Sequence, residues 1–299
     1  MMRLPNFVII GAPKCGTTSL YHYLQQHPEV YLPKRKELHY FSYEYMQRFA
    51  AGPGDKELLT PLCATRQAYE QYYQNVHTHL AIGDVSPSYL YYAQVNERIK
   101  AELEQPKIVV VLRNPVEKAY SQYMHLVRDN REPLEFYQAL MAEKQRITDG
   151  WGALWRYAES SLYTEKLKKY LHTFGEDRVK ILFFETLSRS PSLVLTDLFQ
   201  FLGVNTQVTP DTSTVHHRSG KPKSKLLANF VAKPNVITGL AKKFVPESLR
   251  TAIRTALLNI NTGDKGQIDE KSRAYLQEYF YHDVQELEKI VGKDLHWLS

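Results

Sequence analysis

At 299 residues, 43% of them hydrophobic, the chain is long enough to bury a substantial core, and no apolar run approaches the roughly 18 to 20 residues that cross a membrane. Two cysteines, Cys15 and Cys63, exclude a disulfide framework, and the first apolar run is too short for a signal peptide, so a cytoplasmic location is expected. The net charge of +6 gathers between Val215 and Ile260, where nine basic residues meet one acid; this suggests a local anion site or an anionic surface partner, while nucleic acid is not expected because zinc-finger spacing and aromatic RNA-binding signatures are missing.

The chain opens on NFVII (6–10), whose continuous apolar character predicts a strand covered on both faces. A helix is predicted over 17–27, with Leu20, Tyr23, Leu24 and His27 on one stripe. Between the two lies Gly11-Ala12-Pro13-Lys14-Cys15-Gly16-Thr17-Thr18-Ser19. Gly11 and Gly16 have the spacing of a phosphate loop, but Gly16 is followed by Thr17 rather than by Lys-Ser/Thr, and the lysine, Lys14, lies inside the loop. A strand that delivers this loop to a helix N-terminus offers free N–H groups and the positive end of the helix dipole to an anion, with the Thr17, Thr18 and Ser19 hydroxyls as further donors. The plain alternative is a Gly/Ser turn without a ligand. Cys15, beside Lys14 and near the helix start, is expected to have a lowered pKa and a reactive thiol.

Further strands are predicted at LAIGD (80–84), KIVVVL (107–112) and VKILFF (179–184), and helices over 115–127, 160–173 and 191–202, the first and last of them opened by Pro115 and Pro191. Residues 50–55 and 205–224 read as loops. Residues 247–260 place Leu249, Ile253, Leu257 and Ile260 on one helical face, and 269–291 form a longer amphipathic helix. Alternating strands and helices predict an α/β fold with a central parallel sheet, one domain over 1–299 with a helical C-terminal cap. Arg113 ends the third strand, where ligands of open α/β sheets bind, and Ser121 follows eight residues later on the next helix. Arg113 suits a phosphate fork, or it pairs with a carboxylate such as Glu117. RSGKPKSK (218–225) is a glycine-interrupted basic loop.

Together these segments resemble the sulfotransferases that use 3′-phosphoadenosine 5′-phosphosulfate, most closely their heparan-sulfate-type and bacterial branch. The resemblance implies a P-loop-like three-layer fold. It gives the 5′-phosphosulfate to Lys14, Cys15, Gly16, Thr17, Thr18 and Ser19, the 3′-phosphate to Arg113 and Ser121, and a closing loop to Ser219, Gly220 and Lys221. A phosphosulfate needs no bridging divalent ion, which accounts for the missing Lys-Ser/Thr pair; no metal is expected, since His216 and His217 are adjacent and His77 and His79 have no clear third ligand. PKRKELHYFS (33–42) resembles the family's base-bearing segment and points to Glu37, with His39 as the rival base; if the segment is extended, their spacing puts both on one side. Lys14 would face the charge that grows on the bridging oxygen. GDVSPSYLYY (83–92) resembles the acceptor-lining segment, with Asp84, Ser86 and Tyr89 as candidates, but Val85 replaces the lysine of heparan-type members, which argues against a polyanionic glycan.

The expected activity is transfer of a sulfuryl group to an acceptor hydroxyl by in-line displacement, with adenosine 3′,5′-bisphosphate as the other product. The acceptor is a small molecule, glycan or lipid; the oligomeric state is open. Residues 225–262 would form a basic cap, either packed on the core or touching an anionic membrane surface. The alternatives are a P-loop kinase, opposed by the absence of Lys-Ser/Thr after Gly16, and a nucleotide-binding module without chemistry.

Overall fold

The computed structural model describes residues 3–213 and 266–298, apart from 61, 77 and 93. The predicted helix at 247–260, the basic cap 225–262 and the closing-loop residues Ser219, Gly220 and Lys221 lie outside the described residues.

Five strands form one sheet: β1 (Phe7–Gly11), β2 (Val30–Tyr31), β3 (Ala81–Val85), β4 (Lys107–Leu112) and β5 (Val179–Phe183), in the order β2-β3-β1-β4-β5. Every pairing is parallel. All five residues of both β1 and β3 are buried, as the apolar run of β1 requires; in β3 the burial includes Asp84. β5 departs from the expected two-sided burial: it pairs only with β4 among the described residues, and Lys180, Ile181 and Phe183 stay partly exposed at the sheet edge.

Helices flank the sheet: α1 (Thr17–Leu24), α2 (Tyr43–Arg48), α3 (Asp55–Leu59), α4 (Arg66–Gln71), α5 (Val95–Glu102), α6 (Pro115–Arg128), α7 (Phe136–Thr148), α8 (Thr164–Phe174), α9 (Phe184–Arg189), α10 (Pro191–Leu202) and α11 (Glu270–Val291). α1 stops three residues short of the predicted end because Pro28 disfavours helix before it; His27 N bonds Leu24 O in a turn instead. α6 starts as expected: Asn114 Oδ1 accepts from Val116 N at 3.0 Å and Glu117 N at 3.4 Å, and Pro115 occupies the first turn. α11 begins one residue late, with Asp269 as its cap, and packs on α6, α7 and α8. Its Asp283 carboxylate accepts the N–H groups of Tyr163 and Thr164 at 2.8 and 3.1 Å, so α8 takes its N-terminal cap from the C-terminal helix.

From β1 the chain runs to one side of the sheet and then crosses to β4 on the other. The carboxyl ends of β1, β3 and β4 therefore open side by side, the place where an open α/β sheet binds its ligands.

Candidate functional site

The loop after β1 is shaped for an anion. Gly16 has φ 87° and precedes α1 without any side-chain cap. A Cβ there would come within 3.0 Å of Phe184 Cδ2. The first N–H groups of α1 are thus left to a ligand, and the hydroxyls of Thr17, Thr18 and Ser19 have no hydrogen-bond partner among the described residues.

Arg113 ties the second motif to the first. Its Nη1 donates to Lys14 O at 3.1 Å, its guanidinium lies 4.4 Å from the Phe184 ring centre, and Glu117 Oε2 is 3.8 Å from Nη2. The expected carboxylate pairing is thus present while Nη1 is tied to the loop, and a phosphate at Nη2 would share or replace the Glu117 contact. Ser121 is 3% exposed, and its hydroxyl has no hydrogen-bond partner among the described residues. A partnerless hydroxyl that keeps an opening to solvent leaves room for an oxygen supplied by a ligand.

Lys14, Glu37 and His39 are three of only six non-glycine residues with positive φ among those described, at 67°, 64° and 53°. Such backbone is held against its own preference and concentrates at functional sites. Burial lowers the Lys14 pKa to about 8; the charge of Arg128 acts the same way, against Asp129 and Glu37. Glu37 is 44% exposed at its side chain and pairs with Lys36, while His39 Nε2 lies 3.6 Å from Glu37 Oε2. Desolvation opposes its charge, but Lys36 and His39 outweigh it and hold the carboxyl well below the usual range. The segment is not extended, so the predicted reason for their shared side is wrong; two left-handed residues around buried Leu38 turn the side chains toward each other.

Asp84, Ser86 and Tyr89 do not line an acceptor cleft. They are buried, and their polar atoms face inward: Asp84 Oδ1 accepts from Ser86 Oγ at 2.7 Å, and Oδ2 from Tyr69 and Tyr89 hydroxyls at 3.0 and 2.8 Å. Ser86 Oγ in turn accepts His39 N at 3.1 Å. Through Ser86 the three brace the 37–39 segment; the sequence places them beside that segment but does not say that they face the core. Cys15 also departs from expectation. Its side chain is fully buried between Pro13 O at 3.5 Å and Tyr163 OH at 3.9 Å, and burial pushes the thiol up to about 11, overriding Lys118 and Arg113. Only its backbone belongs to the anion loop.

Sequence reasoning missed Lys36, Ser88, His125, Arg128 and Asp129. Ser88 Oγ lies 2.6 Å from His39 Nδ1 and 2.6 Å from Ser42 Oγ. Arg128 Nη2 donates to His125 Nδ1 at 2.9 Å and its Nε to Asp129 Oδ1 at 3.0 Å. Burial, followed by the Lys14 charge, lowers the His125 pKa to about 3, so the ring is neutral. Ser121, His125 and Arg128 recur at helical spacing on α6, a stripe the sequence already carries.

A model of the sulfotransferase family matches residues 5–208. The membrane-associated sulfotransferase kil1 of Dictyostelium discoideum is 24% identical over 99% of this chain and 67% of its own length. Mouse (Mus musculus) carbohydrate sulfotransferase 15 is 25% identical over 67% of this chain and 44% of its own length, so the chain spans under half of that relative. A crystal structure of a sulfotransferase from Alicyclobacillus acidocaldarius superposes with a TM-score of 0.79 at 33% identity, covering 99% of this chain and 100% of that one.

Proposed function

The chain belongs to the sulfotransferase family, and from that premise we propose that it moves the sulfuryl group of 3′-phosphoadenosine 5′-phosphosulfate to an acceptor hydroxyl. The observation that carries the donor assignment is the Arg113 bond to Lys14 O, which joins the phosphate loop to the arginine-serine motif. A triphosphate kinase has no need of that second anion subsite, and the family match sets the kinase alternative aside.

The residues present fit the donor: an uncapped helix start, three free hydroxyls beside it, and an unpartnered hydroxyl at Ser121 next to a guanidinium. The backbone of Cys15 and Gly16 with Lys14, Thr17, Thr18 and Ser19 would hold the 5′ end, and Arg113 with Ser121 the 3′-phosphate. When bound, the donor supplies the sulfuryl group for in-line displacement. Lys14, lowered toward neutrality in the free protein, gains charge as anionic oxygens approach and stabilises the negative charge that develops there. Glu37 accepts the acceptor proton, because it is the more exposed of the pair; His39, buried behind it and bonded to Ser88, fixes its orientation.

The acceptor is a hydroxyl-bearing molecule. Its class, a cytoplasmic location, a single domain over 1–299, and surface contact through 225–262 remain parts of the proposal. Incubation with labelled donor and cell extract, followed by mass spectrometry of the sulfated product, tests the activity and identifies the acceptor. Absence of any labelled product across extracts counts against it.

A further inference from the structure

The arginine of the donor motif is braced by a segment far from it in sequence. Residues 292–298 follow α11, and of these Trp297 alone is buried, at 8% exposure. Its carbonyl accepts Asn114 Nδ2 at 2.6 Å, directly beside Arg113 in the chain. Its ring packs edge-on against Tyr163, with centres 6.2 Å apart, and against Phe183 at 6.0 Å. Lys293 adds a second grip on β5, its Nζ 3.8 Å from the Phe183 ring centre.

Each of these partners bears on Arg113. Tyr163 OH donates to Arg113 O at 2.9 Å, and its own N–H is held by Asp283 of α11. Phe183 precedes Phe184, whose ring faces the Arg113 guanidinium. Asn114 is engaged elsewhere too, its N–H with Glu185 Oε1 and its Oδ1 at the start of α6. Trp297 thus pins the residue after the arginine and packs on the residue that pins the arginine's own carbonyl. The far end of that side chain is tied to Lys14 O, so a loosened turn would shift the fork relative to the anion loop.

We propose that Trp297 is a positioning residue for the 3′-phosphate: seated on Asn114, Tyr163 and Phe183, it fixes the turn that aims Arg113. The inference rests on the donor reading above. Trp297 acts through Arg113 rather than on the donor. Such coupling is reciprocal, so a 3′-phosphate on Arg113 holds residues 292–298 down by as much as their seating favours the phosphate.

Calorimetric titration of the full chain with adenosine 3′,5′-bisphosphate and with 5′-AMP separates aiming from general support. Trp297→Ala should weaken the bisphosphate roughly tenfold and leave 5′-AMP nearly unchanged, and Trp297→Phe, which keeps a ring at the seat, should stay within a few-fold of wild type. In an Arg113→Ala background, Trp297→Ala should cost no further bisphosphate affinity, because the group it positions is gone. Hydrogen exchange of the wild type gives a reading independent of how the variants fold. With each ligand at the same multiple of its dissociation constant, the bisphosphate should slow exchange over 292–298 several-fold more than 5′-AMP does. No loss or equal losses for the two ligands in Trp297→Ala, an undiminished loss in the Arg113→Ala background, or equal protection of 292–298 by both ligands overturns the inference. A wild type that does not prefer the bisphosphate overturns the donor reading, and this inference with it.

Discussion

His39 Nε2 lies 3.6 Å from Glu37 Oε2 across a single intervening residue, with both backbones in the left-handed region. The pair is held from beneath by Ser86, which accepts His39 N, and from the side by Ser88 at His39 Nδ1. A carboxylate so oriented is ready to take a proton from a hydroxyl placed above it.

Glu37→Gln keeps shape and removes basicity. It should lower kcat roughly tenfold to a hundredfold and leave bisphosphate affinity unchanged. His39→Ala should act on orientation, lowering kcat less and disturbing the acceptor KM. Normal turnover of Glu37→Gln with loss in His39→Ala would exchange the two roles.

Lys36 holds the Glu37 carboxyl low, so Lys36→Met removes a cause of the depression and raises that pKa. The base works only when ionised; its folded-state titration therefore sets the acid limb of kcat/KM, and that limb should move to higher pH. A pH-rate profile unchanged in Lys36→Met would separate Glu37 from proton transfer.

With burial pushing it to about 11, the Cys15 thiol is protonated at neutral pH and sealed from solvent. Thiol reagents should modify it only as the protein unfolds, and bound nucleotide should slow that labelling only as far as it stabilises the fold. Fast labelling of native Cys15 would contradict the buried placement.

Asp84 accepts three side-chain hydroxyls in the core. Asp84→Ala strands all three and should destabilise the protein by about 3 kcal/mol, read as a lower urea midpoint, while kcat falls because Ser86 no longer holds His39 N. Undiminished stability would remove it from the scaffold.

Much of the sheet was legible because strands covered on both faces are written as unbroken apolar runs, KIVVVL above all. β2 is two residues long and carries no such signal. α7 escaped because its buried face includes Glu143 and Arg146 beside Phe136, Ala139 and Leu140, so the stripe reads as polar. Arg146 is paired with buried Glu132, which makes that burial tolerable. In the site, the anion loop and the arginine-serine pair were readable from spacing and chemistry. The inward turn of Asp84 was not: a carboxylate at a strand end faces ligand or core according to neighbours such as Tyr69, which are distant in sequence.

The central claim is a donor site that recognises a 3′-phosphate through Arg113 and Ser121. Calorimetric titration of wild type and Arg113→Ala with adenosine 3′,5′-bisphosphate and with 5′-AMP tests it most directly. The wild type should prefer the bisphosphate, and Arg113→Ala should weaken it by roughly 1.5 to 3 kcal/mol while 5′-AMP binding barely changes. Equal losses for both ligands, or a wild type that does not distinguish them, would contradict it.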